Sequence, residues 1–423
     1  MMPLQFSQPD QQLTLDYIES FIAPDENRYA AFCDTIQLRS HFQPIYSLAH
    51  QRMVGCEALI RPSMSDGLPV LPLLLFSEAS SLAQSVFIDR ICRTLHVRNF
   101  SRQISDETWL FLNINPLTTI HGKQFGSFFS ELLQRYQIPA HRIVVEILEG
   151  QINDESQLAE SINYYRDMGC LIAIDDFGVG HSNFNRLWRL TPHIVKLDKT
   201  LIDQAAASSR VRRILPGLVS LIHQAGSLVL IEGVETEQQA LIALQFDIDF
   251  VQGFFFARPE TQLPESKFHP VIGELFAKLK HDSQLEADTS QVRLTPYTNS
   301  FFEAAILIRS GEKPLQALQP FLAQLWVKRC YLLDELGRQV GQNFLPDSSY
   351  AQTDPRFVPL DDASDAIWAR RHYYQQALAE PGRVQVSKPY LSITGGALCI
   401  TLSIAIGTSE GLRVLCGDIA TPD

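Results

Sequence analysis

Six oxygen-bearing side chains stand where apolar strands should not carry them. Glu57 falls late in RMVGCEALI, Asn113 late in TWLFLNI and Glu146 late in RIVVEIL. Asp175 and Asp176 close CLIAIDD, and Glu232 closes SLVLIEG. One acid after a strand is ordinarily a helix cap or a solvated group. Acids that interrupt one apolar run after another need a shared explanation, because a buried carboxylate is costly unless paired or metal-bound. Gathered in one cavity, they would resist joint ionisation and their pKa values would rise. Divalent cations that favour hard oxygen donors, magnesium or manganese and not zinc, remove that conflict. Lys196, in HIVKLD, adds one ammonium, which can pair with the acids, orient an attacking water and stabilise charge. Gln252 sets an amide inside FVQGFFF, where it either satisfies backbone groups or meets a ligand.

Elements must bring these residues together. Between His41 and Pro259, apolar and β-branched runs alternate with amphipathic stretches such as QFGSFFSELLQRYQI and ESQLAESINYYRDMG. The runs are HFQPIY, RMVGCEALI, TWLFLNI, RIVVEIL, CLIAIDD, HIVKLD, SLVLIEG and FVQGFFF. Nearly continuous apolar runs are how parallel strands buried on both faces read. Eight of them alternating with helices predict an α/β fold, a TIM-type (β/α)8 barrel. Its carboxyl-terminal strand ends converge on one face, and the acids fall there. Only SLAHQ separates the first two runs, too short for a parallel crossover, so that pair is predicted to be a hairpin with one antiparallel strand.

The expected divisions are an N-terminal leader with one or two helices over 1–35, the barrel over 36–262, a linker helix over 263–291 interrupted by Pro270, and a second domain over 292–423. In that last part the runs VKRCYLLDE, GRVQVSKPYL, ALCITLSIAI and LRVLCGDI follow one another, which predicts an α+β domain with an antiparallel sheet.

Composition narrows the function. A formal net charge of −12 argues against a nucleic-acid polymer as partner, since that needs a basic face. No apolar run reaches the about 18 residues that span a bilayer. MMPLQFSQPDQQ lacks the basic and apolar regions of a secretory signal, so a cytoplasmic location is expected. The seven cysteines show no zinc spacing, and most sit in apolar runs that predict burial.

The sequence resembles the EAL domain family. GCEALIRP looks like its signature, flanked in family order by FQPI, LNIN, EILE, DDFGVGHSN, VKLD, IEGVETE and QGFFFARP. The resemblance implies hydrolysis of cyclic-di-GMP to linear pGpG with two Mg2+ or Mn2+ ions per site. It implies that Glu57, Asn113, Glu146 and Asp175 hold one metal, and that Asp175 bridges to a second held with Asp176 and Glu232. Lys196 would activate water, Glu149 would position the loop after Asp176, and Glu235 would support the site. Gln43, Arg61, Asp198 and Gln252 would contact substrate. The sequence departs from the family pattern at Val179 and His181 in the loop, at Leu148 in EILE and at Asn115 in LNIN; no implied metal ligand is lost. A barrel that binds cyclic-di-GMP without cleaving it, or a protein scaffold, are the alternatives.

The last domain resembles PAS-like or Cache-like sensor modules. That resemblance implies a small ligand or protein partner, with Trp368, Arg370, Arg371 and Tyr373 as pocket residues, and a homodimer in which this domain biases the barrel.

Overall fold

The computed structural model describes residues 13–77, 79, 81–103, 108–115, 118–119, 127–148, 155–178, 184–264, 269–346, 363–392 and 398–420. The chain forms two compact units, Met1–His281 and Asp282–Asp423.

The first unit is a closed eight-stranded barrel with helices. Two short strands, β1 (Ile22–Asp25) and β2 (Arg28–Cys33), lead into β3 (Ile36–Ser47) and β4 (Arg52–Met64). Then come β5 (Trp109–Asn113), β6 (Ile143–Leu148), β7 (Leu171–Phe177), β8 (Ile194–Leu197), β9 (Leu228–Ile231) and β10 (Phe250–Val251). β4 to β10 pair in parallel around the ring. β3 closes it, antiparallel to β4 and to β10. The short β3–β4 connection thus makes the hairpin predicted from SLAHQ.

Side-chain alternation along each strand explains where the polar residues go. The barrel interior is filled by Ile45, Phe111, Val144, Ala173, Ile194, Leu230 and Phe250. Two residues further toward one rim stand Gln43, Asn113, Glu146, Asp175, Lys196, Glu232 and Gln252, in the same order. Each therefore shares the inward face with its apolar neighbour, one layer higher. On β4 the corresponding inner position, two before Glu57, is Gly55. A Cβ there would lie 2.8 Å from the Phe111 ring, which occupies the space instead.

Two expectations need correction. The first 35 residues are not a leader with helices alone: one helix, Leu15–Glu19, precedes the antiparallel β1–β2 hairpin. Glu26-Asn27 forms its two-residue turn, with Glu26 at φ 54°, between two short runs fit for strands. Pro270 does not interrupt a helix but begins one, Pro270–Arg309, at the first-turn position where a missing N–H costs nothing.

The second unit is α+β. Its antiparallel sheet comprises β11 (Val327–Leu333), β12 (Gln339–Phe344), β13 (Gln385–Val386), β14 (Tyr390–Leu391), β15 (Leu398–Thr408) and β16 (Gly411–Ala420). The order is β12-β11-β16-β15-β13, with β14 also on β15. One face packs Leu402, Ile404 and Leu415 against Phe301, Ala305, Leu318 and Phe321 from two helices. The other packs Tyr331, Val414 and Cys416 against Tyr373, Tyr374 and Ala377 of helix His372–Ala379. Among the described residues no helix is long and apolar enough to cross a membrane.

All seven cysteines are buried and free, as their apolar settings predict. Burial pushes the Cys33 and Cys170 thiols up to about 12. Since the thiolate is the reactive form, a thiol-reactive dye at pH 8 is expected to label the native chain at least about a hundredfold more slowly than the chain in guanidinium. Fast labelling of any native cysteine would contradict this burial.

Buried His96 makes stability pH-dependent. Its Nδ1 lies 2.8 Å from Ser40 Oγ, and burial, helped by nearby Arg61, lowers its pKa from 6.5 to about 3. Between these values the unfolded chain carries a proton that the folded chain refuses, so stability is lost as pH falls through that window. The loss is of order a few kcal/mol. His96→Asn keeps the hydrogen bond to Ser40 and removes the titration. Denaturant midpoints at pH 7 and pH 4.5 are expected to differ less for the variant than for the native chain.

Candidate active site

The register sets the acids side by side at one rim. Gln43 pairs with Glu57, Asn113 with Glu146, and Leu148 with Asp175 across neighbouring strands. In their midst is Lys196, 1% exposed. Its Nζ lies 2.5 Å from Glu232 Oε1, 2.6 Å from Glu146 Oε1, 3.2 Å from Asp175 Oδ1 and 3.8 Å from Glu57 Oε2. Burial alone would lower the ammonium's pKa, but Asp175, Glu146, Glu232 and Glu57 together hold it well above its ordinary value. The pKa values of three acids also rise, but for a different reason. Burial first, and then neighbouring carboxylates, raise the pKa of Glu146, Glu232 and Asp176 despite the lysine.

A chain of amides fixes Glu57. Gln43 Nε2 donates to the Ala257 carbonyl at 3.3 Å, and Gln252 Nε2 donates to Gln43 Oε1 at 3.1 Å and to Glu57 Oε2 at 2.8 Å. Asn113 Nδ2 donates to Glu57 Oε1 at 2.8 Å. Both carboxylate oxygens are thereby oriented, and the Asn113 side-chain oxygen takes no part in these bonds. The Ala257 carbonyl can only accept, so it sets the direction of the whole chain. Gln43 and Gln252, expected as substrate contacts, are joined to each other and to Glu57.

Gly253 permits this arrangement. A Cβ there would fall 2.1 Å from the Val234 carbonyl oxygen. The close approach lets Val234 N donate to the Gln252 carbonyl at 3.1 Å, next to Glu232. Gly253→Ala must push these backbones apart. It is expected to destabilise the chain by about 1–3 kcal/mol, read as a lowered denaturant midpoint, with an altered near-ultraviolet circular dichroism spectrum. An unchanged midpoint would refute the role.

Asp176 has φ 57°, a left-handed conformation that aspartate tolerates better than most residues. Its N–H donates to Asp175 Oδ1 at 2.9 Å. Ligand atoms of Asp175, Asp176 and Glu232 lie within 4.8 Å of one another. Glu146 Oε2 and Gln252 Oε1 are buried with no hydrogen-bond partner among the described residues, while Glu146 Oε1 and Glu232 Oε1 meet the Lys196 ammonium. Buried orphan oxygens around an all-oxygen donor set fit divalent cations.

The remaining expected residues are more dispersed. Asp198 caps helix Lys199–Ala207, accepting from Thr200 N at 2.8 Å, and its charge helps raise Asp176. Arg61 feels the charge of Glu57 and donates to its own strand's Ile60 carbonyl. It lines a cavity of about 310 Å³ that reaches Asn113. Glu235 pairs with Lys199 at 2.5 Å instead of touching the acids. Glu149, Val179 and His181 lie outside the described residues. Sequence reasoning missed Leu73, Phe76 and His96 on the wall beside Arg61. No strand-end acid marks them, since they come from helices and not from the carboxyl-terminal ends of the barrel strands.

In the second unit, Arg371 lies 5.9 Å from the Trp368 ring and 5.5 Å from the Tyr390 ring, while Tyr373 stacks on Tyr390 at 6.0 Å. Arg370 is exposed.

Residues 26–259 match the model described as EAL domain. The chain belongs to the EAL domain family. Among its EAL relatives, the cyclic di-GMP phosphodiesterase RocR of Pseudomonas aeruginosa is 28% identical over 239 residues, 56% of this chain and 60% of that protein. Signaling protein YkoW of Bacillus subtilis is 29% identical over 243 residues, 55% of this chain and 29% of that protein. The chain thus spans less than two thirds of the length of either relative. The EAL-domain protein YkuI of Bacillus subtilis, whose crystal structure holds c-di-GMP and calcium, superposes with a TM-score of 0.75. At 22% identity it covers 91% of this chain and 97% of its own, a likeness of fold.

Proposed function

We propose that the chain hydrolyses cyclic-di-GMP to linear pGpG with two Mg2+ or Mn2+ ions. The observation that carries this is a charge count. Glu57, Glu146, Asp175, Asp176 and Glu232 bring five formal negative charges and Lys196 one positive, so 5 − 1 leaves four, which two divalent cations balance. Glu57, Asn113, Glu146 and Asp175 would hold one ion; Asp175, Asp176 and Glu232 would hold the other. Bound there, the ions would supply a hydroxide at neutral pH and steady the attacking and leaving oxygens.

The chain's own residues do the rest. Lys196 draws the acids together and orients the incoming water. The amide chain from Ala257 through Gln43 and Gln252 keeps Glu57 in one orientation. Arg61, in the neighbouring cavity, offers a guanidinium to the anionic dinucleotide. Water adds to one phosphorus, the bond from that phosphorus to the 3′ oxygen breaks, and the 3′ oxygen takes a proton. Asp198 would contact substrate, Glu149 would position the loop after Asp176, and Glu235 would act through Lys199. The second unit would bias this activity as a PAS-like module, in a cytoplasmic homodimer, through a small ligand or a protein partner. A sedimentation profile that stays monomeric at every concentration would remove the dimer from this account.

Anion-exchange chromatography of cyclic-di-GMP incubated with the chain and either metal tests the reaction. Conversion to pGpG is expected. Intact nucleotide at every protein concentration, with binding seen by calorimetry, would leave a non-catalytic receptor in its place.

A further inference from the structure

The barrel's other end holds a second cavity, broad and about 1010 Å³ in volume. Its lining comes from the opposite ends of the strands that carry the acids. Arg52 opens β4, Thr108 and Trp109 open β5, His141 and Arg142 precede β6, and His50 lies in the β3–β4 turn. The apolar layer of Ile45, Phe111, Val144, Ala173, Ile194, Leu230 and Phe250 separates the two ends.

The chemistry of this cavity is opposite to that of the site above. In a chain of net charge −12, it collects two guanidiniums and two imidazoles against one carboxylate, Asp249. That carboxylate is already engaged, lying 2.8 Å from His223 Nε2 and accepting from Val229 N at 2.7 Å. Arg142 is held in place: its Nε donates to the Thr108 carbonyl at 3.2 Å and its guanidinium lies 5.4 Å from the Phe100 ring centre. Trp109 is half-buried and meets Phe250 edge to face at 5.9 Å, giving the cavity an aromatic floor. Thr108, 2% exposed, buries its hydroxyl among these groups with no hydrogen-bond partner among the described residues. A buried hydroxyl without a partner is costly, and a ligand's polar group would remove that cost.

We propose that this cavity is a second binding site for an aromatic anion, a mononucleotide in chemical class. Arg52, Arg142 and the histidines take the phosphate, and Trp109 takes the base. Arginine suits phosphate through its planar fork of donors, and a base stacks on an indole at a worth of about 1–3 kcal/mol. The volume matches the upper range of small-molecule pockets.

The test is calorimetric, on the full chain in EDTA so that no divalent ion recruits nucleotide to the upper site. The probes are 5′-AMP and 5′-GMP, with adenosine and inorganic phosphate as their halves. One-to-one binding of the mononucleotides is expected, at least tenfold tighter than either half. Arg52→Glu should weaken it at least tenfold and leave cyclic-di-GMP hydrolysis unchanged; Trp109→Leu should weaken the nucleotides but not inorganic phosphate. Absence of mononucleotide binding, or binding indifferent to Arg52→Glu, would overturn the proposal. Because the lower site is read in EDTA without turnover, its failure is distinct from failure of the hydrolytic reading.

Discussion

Lys196→Met is expected to lower cyclic-di-GMP turnover by about 10²–10³-fold, the usual cost of removing one preorganised charge from a reaction centre. It is also expected to destabilise the metal-free chain. The ammonium lies within 3.2 Å of three carboxylates and at 3.8 Å from a fourth. Methionine keeps an unbranched apolar stem but leaves those acids without a cation. Breaking one partner out of a buried ion pair costs about 3–5 kcal/mol. A bound cation would replace the missing charge, so manganese should raise the melting temperature of the variant more than that of the native chain. Thermal melts with EDTA and with manganese check this. Equal metal-induced shifts in both proteins would place Lys196 outside the electrostatic heart of the site.

Glu57→Gln is expected to cost at least about a thousandfold in kcat, more than the loss of one charge suggests. Each Glu57 oxygen receives an amide N–H, from Asn113 on one side and from Gln252 on the other. A glutamine can accept on one side only. Turned toward Gln252, its NH2 faces a donor whose direction is fixed back to the Ala257 carbonyl. Turned toward Asn113, it forces that amide to flip and ties up its oxygen. Either way a second ligand or the amide chain is disturbed together with the charge. Circular dichroism should remain native, since the barrel's interior layer is untouched. Turnover within tenfold of native would show that Glu57 is not a metal ligand.

Most of this site could be read from sequence, and the reason is energetic. Acids such as Glu146 and Asp175 end runs that are otherwise apolar, and buried carboxylates have few uses. The β3–β4 hairpin was equally plain, because a five-residue connection cannot carry a crossover. What escaped reading depends on contacts between distant segments. Gln43 and Gln252 meet because β10 closes onto antiparallel β3, and neither residue's neighbours announce a partner about two hundred positions away. Their part in orienting Glu57 follows from register alone. The β1–β2 hairpin was misread because its strands are short and its turn, with Glu26 at positive φ, lacks the glycine that usually marks one. Pro270 was read as a break because its position relative to the helix start is a tertiary fact.

Equilibrium dialysis of manganese against the full chain, with hydrolysis measured on the same samples, tests the central claim most directly. The account predicts two ions bound per chain, hydrolysis that rises with occupancy, and none in EDTA. Fewer than one ion bound at saturation, or hydrolysis undiminished in EDTA, would contradict it.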